Sequence, residues 1–304
     1  MTFVQKGVTK IKNSLAYRIP VFAYRNWLTH ISPVKFQARE PATEYNLLTL
    51  CGARDYPLLK QAILSVHRSF GKLPHLYVVT DFGTSDEMLQ KISKLYPADR
   101  LHVIPADDCM RYHEDNGNTL LKNYALKSAM GLKLAAIIKI SDLGLPLFYF
   151  DTDVLWFNDP ADDLKRLIQS EINIHMSYDF YPGYDYDLIK KANLGITSEE
   201  RPYYNAGIIF LKNMTGQQRA AIERLLPFVV EQRSNLSEQT MFAYLQKAAG
   251  PSLLSAEKYL LYSEDQFVFR PFIKEKTVAR HYIGQIRHLF WRDSFFLSKI
   301  NPIK

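Results

Sequence analysis

The most constraining feature of the sequence is a fourteen-residue stretch near its middle, Leu147–Pro160, which reads LFYFDTDVLWFNDP. Four apolar residues, typical of a strand buried on both faces, lead directly into Asp151-Thr152-Asp153, and a second apolar run follows. Carboxylates two positions apart on an extended chain project to the same side. The carboxyl end of a parallel strand faces the crevice where α/β sheets bind ligands. Two carboxylates placed there predict a partial shell for a divalent cation that also binds phosphate oxygens.

The segments around this stretch predict an α/β fold. Strands are expected over 46–51, 76–80 and 101–105, helices over 57–70, 86–96 and 120–140, a polar loop over 107–118, and a short amphipathic helix over 20–31. This alternation is typical of a mostly parallel sheet with crossover helices. With 304 residues, of which 47% are hydrophobic, the chain has an ordinary globular composition and can bury a large core.

Positive charge is concentrated at the start of the chain. Residues 1–40 hold seven of the 38 basic side chains and one of the 31 acidic ones, so they account for most of the net charge of +7. The basic residues are Lys6, Lys10, Lys12, Arg18, Arg25, Lys35 and Arg39. We therefore expect a basic N-terminal arm over 1–40 and a nearly neutral domain over 41–304. A nucleic-acid binder is excluded, because that domain has no surplus positive charge to neutralise phosphates.

The cysteine content and the apolar stretches bear on cellular location. Cys51 and Cys109 cannot supply a disulfide framework or a four-cysteine zinc site, which favours reduced thiols in the cytoplasm. The most apolar stretches, 135–140 and 143–150, fall short of the ~18 residues that a membrane span requires. The basic start also lacks the continuous apolar segment of a cleaved signal peptide. We expect a cytoplasmic protein.

Two enzyme classes place an Asp-x-Asp motif at the end of a strand. In the haloacid-dehalogenase phosphatases the first aspartate is a covalent nucleophile, and Phe150-Asp151-Thr152-Asp153-Val154 fits that local pattern. Those enzymes place the motif early in the chain and add a second acidic metal motif, which does not follow residue 153 here. A phosphatase with Asp151 as nucleophile stays as an alternative. An aspartate-rich turn that merely caps a strand is the alternative without function.

The second class is the nucleotide-sugar glycosyltransferases of the GT-A fold, which the chain resembles in five segments. In chain order they are Thr49–Tyr56 (TLCGARDY), Asp151–Asp153, the strand Tyr204–Leu211 with its Asn205-Ala206-Gly207, Glu238-Gln239, and His281–Arg287 with Trp291 following. Both content and order resemble glycosyltransferase family 8, which includes glycogenin and lipopolysaccharide sugar transferases. The resemblance implies a GT-A fold, α/β with a mostly parallel central sheet, in a single catalytic domain within 41–304.

The resemblance also implies a metal site. Asp151, Asp153 and His281 would bind Mn²⁺ or Mg²⁺, which would bridge the two phosphates of a UDP-sugar and assist departure of UDP. An imidazole beside two carboxylates favours Mn²⁺ over the harder Mg²⁺. Gly284 would let the backbone approach the diphosphate. Arg287, in place of the family's lysine, would clamp it.

Other matched residues would surround the donor. Tyr56 would pack on the uracil ring, and Lys133, in the helix before the aspartates, would contact donor hydroxyls or phosphate. Asn205, Glu238 and Gln239 would surround the transferred sugar, with Glu238 standing where the family has aspartate. The resemblance implies retention of the anomeric configuration, because in such enzymes the leaving phosphate oxygen accepts the proton of the acceptor.

The sequence thus predicts a metal-dependent, retaining glycosyltransferase that moves a hexose from a UDP-sugar to a glycan or lipid-linked saccharide. The long tyrosine-rich connection 178–204 is predicted to form part of the acceptor site, with Tyr181 and Tyr184 packing on sugar rings. A catalytically inactive sugar-nucleotide or glycan binder of the same fold is the competing class. The arm over 1–40 is predicted to dock on an anionic membrane, which would make the protein peripheral at its inner face. A solvated basic tail, or a helix packed on the domain, is the alternative.

Overall fold

The computed structural model describes residues 18–29, 39–231, 234–250, 252–261 and 275–300. Within these ranges the α-helices are α1 (Ile19–Thr29), α2 (Tyr56–Ser69), α3 (Asp86–Ile92), α4 (Ala106–Asp115), α5 (Thr119–Lys127), α6 (Ala129–Ser141), α7 (Ala161–Gln169), α8 (Tyr186–Ala192), α9 (Gly216–Glu231), α10 (Ser237–Ala249) and α11 (Leu289–Ile300). The strands are β1 (Pro41–Cys51), β2 (Leu73–Thr80), β3 (Leu101–Ile104), β4 (Leu147–Phe150), β5 (Val154–Trp156), β6 (Ile174–Asp179), β7 (Tyr203–Leu211), β8 (Tyr259–Leu260) and β9 (Ala279–His281).

The central sheet has six strands in the order β3-β2-β1-β4-β7-β6. The first four run parallel, and β7 lies antiparallel between β4 and β6. The predicted α/β class with a mostly parallel sheet is therefore confirmed. The chain order reverses between β1 and β4, so the carboxyl ends of these two strands flank the crevice where such sheets bind ligands.

Apolar clusters cover both faces of this sheet. Neighbouring residues of β1, Leu47 and Leu48, belong to different clusters, as the two-residue period of a strand requires. β4 and β7 are buried along their whole length, as expected where helices cover both faces. The two cysteines, Cys51 and Cys109, are buried and free. Burial of both faces leaves the strand ends as the place for polar chemistry.

A small second sheet brings the C-terminal part of the chain to the aspartate motif. Its strand order is β5-β9-β8, and β5 follows β4 after a short turn. β5 and β9 pair antiparallel with Val154 opposite His281. The backbone N–H of Tyr282 also donates a 2.9 Å hydrogen bond to the carbonyl oxygen of Asp153. This pairing fixes His281 beside the motif.

The polar stretch 107–118 differs from the sequence-based prediction. It was expected to be a loop, but most of it belongs to helix α4. The helix is anchored by four residues buried at helical spacing, Ala106, Cys109, Met110 and His113. Acidic side chains occupy the first turn, where they complement the helix dipole.

The single helix predicted over 120–140 is also wrong, because two helices, α5 and α6, meet at Ser128. The backbone of Ser128 is extended, and its hydroxyl accepts a hydrogen bond from Met130 N, which caps α6. A Cβ at Gly131 would lie 2.4 Å from the carbonyl oxygen of Tyr124, so glycine is needed for the close packing of α6 on α5. The break is therefore set by a cap and a tight contact, and not by a change in hydrophobic pattern.

The short helix predicted over 20–31 is present as α1. It packs on α11, with the ring centroids of Tyr24 and Phe295 5.0 Å apart. Most of the predicted arm, residues 1–17 and 30–38, lies outside the described residues. In the described parts of the chain, no helix is long and apolar enough to cross a membrane.

Candidate active site

A cleft of about 380 Å³ opens at the carboxyl ends of β1 and β4, where the chain order reverses. It is lined by nine of the ten residues that the sequence singled out: Lys133, Asp151, Asp153, Asn205, Glu238, Gln239, His281, Gly284 and Arg287. The tenth, Tyr56, starts α2 and packs against one of the apolar clusters of the sheet instead of lining the cleft. Its contact with uracil stays a prediction.

Asp151, Asp153 and His281 form a cluster whose possible ligand atoms all lie within 4.8 Å of one another. The Nε2 atom of His281 is 3.2 Å from Asp153 Oδ1 and 3.6 Å from Asp151 Oδ2. The aspartates do not lie on an extended strand, as the sequence analysis expected. They belong to a turn in which Val154 N donates a 3.1 Å hydrogen bond to Asp151 O. The turn, and not strand alternation, points both carboxylates at His281.

A chain of hydrogen bonds orients the imidazole of His281. The Oδ1 atom of Asn205 lies 3.1 Å from His281 Nδ1 and also accepts a 2.8 Å hydrogen bond from Gly207 N. Because an amide oxygen can only accept, a ring hydrogen is assigned to Nδ1, and Nε2 is the ring nitrogen that faces the aspartates. Asn205 Nδ2 in turn donates to Asp179 Oδ2 at 3.0 Å. Partners of this kind fix the orientation of metal-binding histidines.

Two further features hold His281 in place. A Cβ on Gly207 would lie 2.0 Å from Cε1 of His281, so this position of the Asn-Ala-Gly segment requires glycine. The residues on either side of His281, Arg280 and Tyr282, both donate to Asp293 of α11 in a fully buried cluster. Because a buried charge is stable only when it is paired, this cluster fastens β9 to α11.

Arg287 approaches Asp153 from the other side. Its Nε and Nη2 atoms donate to Asp153 Oδ2 at 3.0 and 2.5 Å. Burial raises the pKa of Asp153, but the charges and hydrogen bonds of His281 and Arg287 outweigh it and lower that pKa to about 2. The arginine side chain is 58% exposed, so part of its donor fork remains accessible from the cleft. Gly284, with a φ of +44°, forms the turn that precedes it.

Lys133 is the buried cation of the cleft. Its ammonium donates a 2.7 Å hydrogen bond to Ala206 O and lies 3.4 Å from both Asp151 Oδ1 and Glu238 Oε1. Burial lowers the pKa of Lys133, but the two carboxylates raise it by a larger amount. The net effect is a raised pKa, so the ammonium stays charged. Lys127 is exposed and therefore differs from Lys133, although both lysines had been expected on one helix.

Glu238 and Gln239 open helix α10 and have different environments. Glu238 is 1% exposed, and burial raises its pKa to about 7 against the opposing effect of Lys133. Its buried Oε1 atom is 3.4 Å from Lys133 Nζ, an ion pair without a close hydrogen bond. Both ends of the Gln239 amide bind backbone: Nε2 donates to Gly183 O at 2.6 Å, and Oε1 accepts from Ala206 N at 3.2 Å. Gln239 thus ties β7 to the loop after β6.

Several polar residues of the site were not singled out by the sequence analysis. Asp55 and Asp81 line the cleft, Tyr149 OH donates to Asp151 Oδ1, and Asp179 holds Asn205. Strand position could have indicated two of them, because Asp81 follows β2 and Asp179 ends β6 at the same edge of the sheet. Nothing in the local pattern distinguishes Tyr149 from a core tyrosine.

A second, more apolar cleft of about 430 Å³ adjoins the first and shares Ile283 and Gly284 with it. Its other lining residues are Asp179, Phe180, Tyr181, Leu261 and Ile286. Tyr181 is 78% exposed there, as a residue that contacts a ligand requires. Tyr184 is not at this cleft: it is 4% exposed, and its hydroxyl accepts a 2.8 Å hydrogen bond from Tyr204 N. Tyr184 is therefore a buried residue that fastens the loop after β6 to β7.

Comparison with known families decides what kind of site this is. Residues 86–284, about two thirds of the chain, match the family model described as nucleotide-diphospho-sugar transferase. The chain belongs to this family. Membership confirms the prediction of a glycosyltransferase resembling family 8, and it favours a transferase over the phosphatase alternative. No curated protein sequence matches the chain significantly.

Solved glycosyltransferase structures share the fold of this nucleotide-diphospho-sugar transferase. The bifunctional glycosyltransferase WbbM has a TM-score of 0.54 and 11% identity, over 88% of this chain and 50% of that one. The galactosyltransferase LgtC, solved with donor and acceptor sugar analogues, has a TM-score of 0.53 and 14% identity, over 84% and 96%. Mouse xyloside xylosyltransferase 1 has a TM-score of 0.53 and 12% identity, over 79% and 97%. The chain thus spans half the length of WbbM, and identities this low show the fold alone.

Proposed function

We propose that this family member transfers a hexose from a UDP-sugar to a glycan or glycolipid acceptor, with a bound divalent metal and with retention of the anomeric configuration. The observation that carries the proposal is the convergence of Asp151, Asp153 and His281 at the end of β4. Two carboxylates and an imidazole whose Nε2 atom faces them fit Mn²⁺, and fit Mg²⁺ less well. When bound, the metal would supply Lewis-acid stabilisation of the departing UDP.

The chain's own residues complete the donor site in this proposal. Arg287 would donate its accessible N–H groups to the diphosphate, whose approach the turn at Gly284 permits. Lys133 would balance the negative charge of Asp151 and Glu238 beneath the sugar. Glu238, which lines the cleft beside Lys133, would accept a hydrogen bond from a sugar hydroxyl.

We propose retention in keeping with the family resemblance, and the side chains of the cleft that could act as a separate base are already engaged. Asp153 is bound by Arg287, Asp151 accepts a hydrogen bond from Tyr149, and the amide of Gln239 is held by backbone. In a retaining transfer no separate base is needed, because the departing phosphate oxygen accepts the proton of the attacking hydroxyl. Gln239 would therefore lie beside the reacting face of the sugar. Asn205 would have two roles, since it would contact the sugar and hold the ring of His281 in position.

The acceptor would occupy the adjoining cleft at Tyr181. Phe180, Tyr181 and Ile283 present apolar and aromatic faces of the kind that pack on sugar rings or on a lipid-linked saccharide. The shared residues Ile283 and Gly284 place this cleft directly beside the donor site. We also propose, from the charge of residues 1–40, that the enzyme works in the cytoplasm as a peripheral protein on an anionic membrane.

The test is a donor screen with the full chain. UDP release is measured from UDP-Gal, UDP-Glc and UDP-GlcNAc with Mn²⁺, and proton NMR identifies the anomer of the sugar first formed. One donor should be turned over, with the α anomer produced from the α-linked donor. Binding of a donor without any turnover would instead identify an inactive sugar-nucleotide binder, and a β product would contradict retention.

A further inference from the structure

Helix α1 packs on α11 along one side and exposes large apolar side chains along the rest of its surface. The inner face contributes Tyr24, whose ring packs on Phe295 of α11, and Leu28, which is buried. The outer face carries Ile19, Phe22 and Trp27, which are 56%, 69% and 51% exposed. At 100° per residue Ile19 and Phe22 lie on the side of the helix opposite Tyr24 and Leu28. Trp27 lies at the margin between the two sides, where its ring centroid is also 6.1 Å from that of Phe295 on α11. An eleven-residue helix that exposes three large apolar side chains is a candidate interaction surface.

Basic groups border this outer face. Arg18 and Arg25 are exposed, and the ammonium of Lys299 on α11 lies 4.6 Å above the Trp27 ring. The sequence has no acidic residue before Glu40, so the flanking chain adds only positive charge. A stripe of aromatic and aliphatic side chains bordered by arginine and lysine matches the interface of an anionic bilayer, which offers acyl chains beneath phosphate groups.

We propose that the outer face of α1, formed by Ile19, Phe22 and Trp27, inserts into the interfacial region of an anionic lipid bilayer. This inference deepens the membrane placement in the proposed function by naming the inserted residues. Trp27 and Phe22 enter the boundary between headgroups and acyl chains, and Arg18, Arg25 and Lys299 contact lipid phosphates. A groove on a partner protein could also cover the exposed apolar side chains, but the surrounding arginine and lysine side chains favour a surface dense in phosphate.

The surface is mechanically connected to the active site. α11 begins two residues after Arg287. The guanidinium of Arg25 on α1 makes a cation–π contact with Trp291 of α11, 5.2 Å from the ring centroid. α11 is also joined to β9 through the buried Asp293 cluster. Insertion of α1 therefore holds the donor site at a fixed place above the membrane, where a lipid-linked acceptor can reach it.

The experiment is sedimentation of the full chain with vesicles of phosphatidylcholine, with or without 30% phosphatidylglycerol (about one anionic lipid in three, as a probe of surface charge). The test variant combines Phe22→Ser and Trp27→Ser. The matched control combines Leu126→Ser and Leu143→Ser, which change side chains of similar exposure, 52% and 53%, elsewhere on the surface. Tryptophan emission with and without vesicles is compared between wild type and Trp27→Phe.

We expect wild type and the control to bind anionic vesicles and to release them at high salt, and the test variant to bind about tenfold more weakly or worse. A vesicle-induced blue shift should be present in wild type and absent in Trp27→Phe, which should still bind. Equal binding by the test variant, or no binding by wild type, would overturn the proposal. A change of oligomeric state in the test variant would also overturn it, by assigning the face to a second copy. None of these outcomes depends on UDP-sugar turnover, so failure here is distinguishable from failure of the enzymatic proposal.

Discussion

His281 Nδ1 lies 3.1 Å from the Oδ1 atom of Asn205, and this contact assigns the two nitrogens of the ring to different tasks. The bond commits Nδ1 to the protein and leaves Nε2 for the aspartate pair. Asn205, predicted from the sequence to contact the sugar, is thus in contact with a candidate metal ligand. The role of Asn205 in orienting His281 can be tested by metal binding in the absence of any sugar.

Replacing Asn205 by Ala should weaken Mn²⁺ binding by about 10–100-fold, because loss of an orienting partner frees the imidazole to rotate. Calorimetric titration of the purified protein with Mn²⁺, without any sugar, measures the change. The control is Asn213→Ala, which changes an exposed asparagine just after the same strand. Unchanged Mn²⁺ affinity would show that Asn205 acts on the sugar alone.

Gly207→Ala should destabilise the protein by about 1–3 kcal/mol, because the new methyl group meets the His281 ring in a packed site. Gly216→Ala is the matched control, since a Cβ there meets no atom within 4 Å. Urea unfolding of both variants in EDTA gives the free energies of unfolding. Equal stability of the two variants would mean that His281 is not seated against β7 as described.

Glu238 predicts a pH dependence of stability. Its pKa is raised from 4.5 to about 7 by burial in the folded state, so between these values the folded protein holds the proton more tightly than the unfolded chain. Raising the pH from about 4.5 to about 7 therefore lowers the free energy of unfolding through this group, by on the order of 3 kcal/mol. Glu238→Gln should remove that contribution.

The measurement is urea unfolding at pH 5 and pH 7 in EDTA, for Glu238→Gln and for Glu223→Gln as an exposed control. Histidines that titrate in the same range affect all variants equally, so the difference between variants isolates Glu238. We expect the stability of Glu238→Gln to fall less than that of the control between the two pH values. Parallel behaviour of the two would contradict the buried, partly protonated carboxyl.

Tyr181 and Tyr184 should give different results when changed, although the sequence suggested the same role for both. Tyr181→Ala should raise the acceptor KM several-fold with little effect on stability, because the side chain is exposed at the apolar cleft. Tyr184→Phe should lower stability by about 1 kcal/mol through loss of the bond with Tyr204 N and leave acceptor KM unchanged. Steady-state kinetics with unfolding curves separate the two, and a rise in KM for Tyr184→Phe alone would reverse the assignment.

The α/β class could be predicted from the alternation of strand and helix patterns. Nine residues of the cleft could be predicted because they follow an apolar strand or lie in segments that resemble glycosyltransferase family 8. Asp151 and Asp153 follow a fully apolar strand, and His281 stands three residues before a glycine with positive φ. Family resemblance was needed for His281, because the strand pairing that brings it to β5 leaves no local signal in the sequence.

The rest depended on tertiary contacts. The helix break at Ser128 comes from a side-chain cap and from the contact of Gly131 with α5, neither of which alters the apolar pattern. Residues 151–153 form a turn because β4 and β5 belong to different sheets. Tyr184 is buried because its hydroxyl meets β7, which a run of tyrosines does not indicate.

The central claim is that Asp151, Asp153 and His281 hold the metal on which donor cleavage depends. The most direct measurement is UDP release from the preferred UDP-sugar by wild type, Asp153→Ala and the exposed control Asp162→Ala, before and after EDTA and after readdition of Mn²⁺. We predict that EDTA abolishes release, that Mn²⁺ restores it in wild type and in Asp162→Ala, and that Asp153→Ala loses at least about 100-fold in rate at every Mn²⁺ concentration. Full turnover in EDTA, or full activity of Asp153→Ala, would contradict the account.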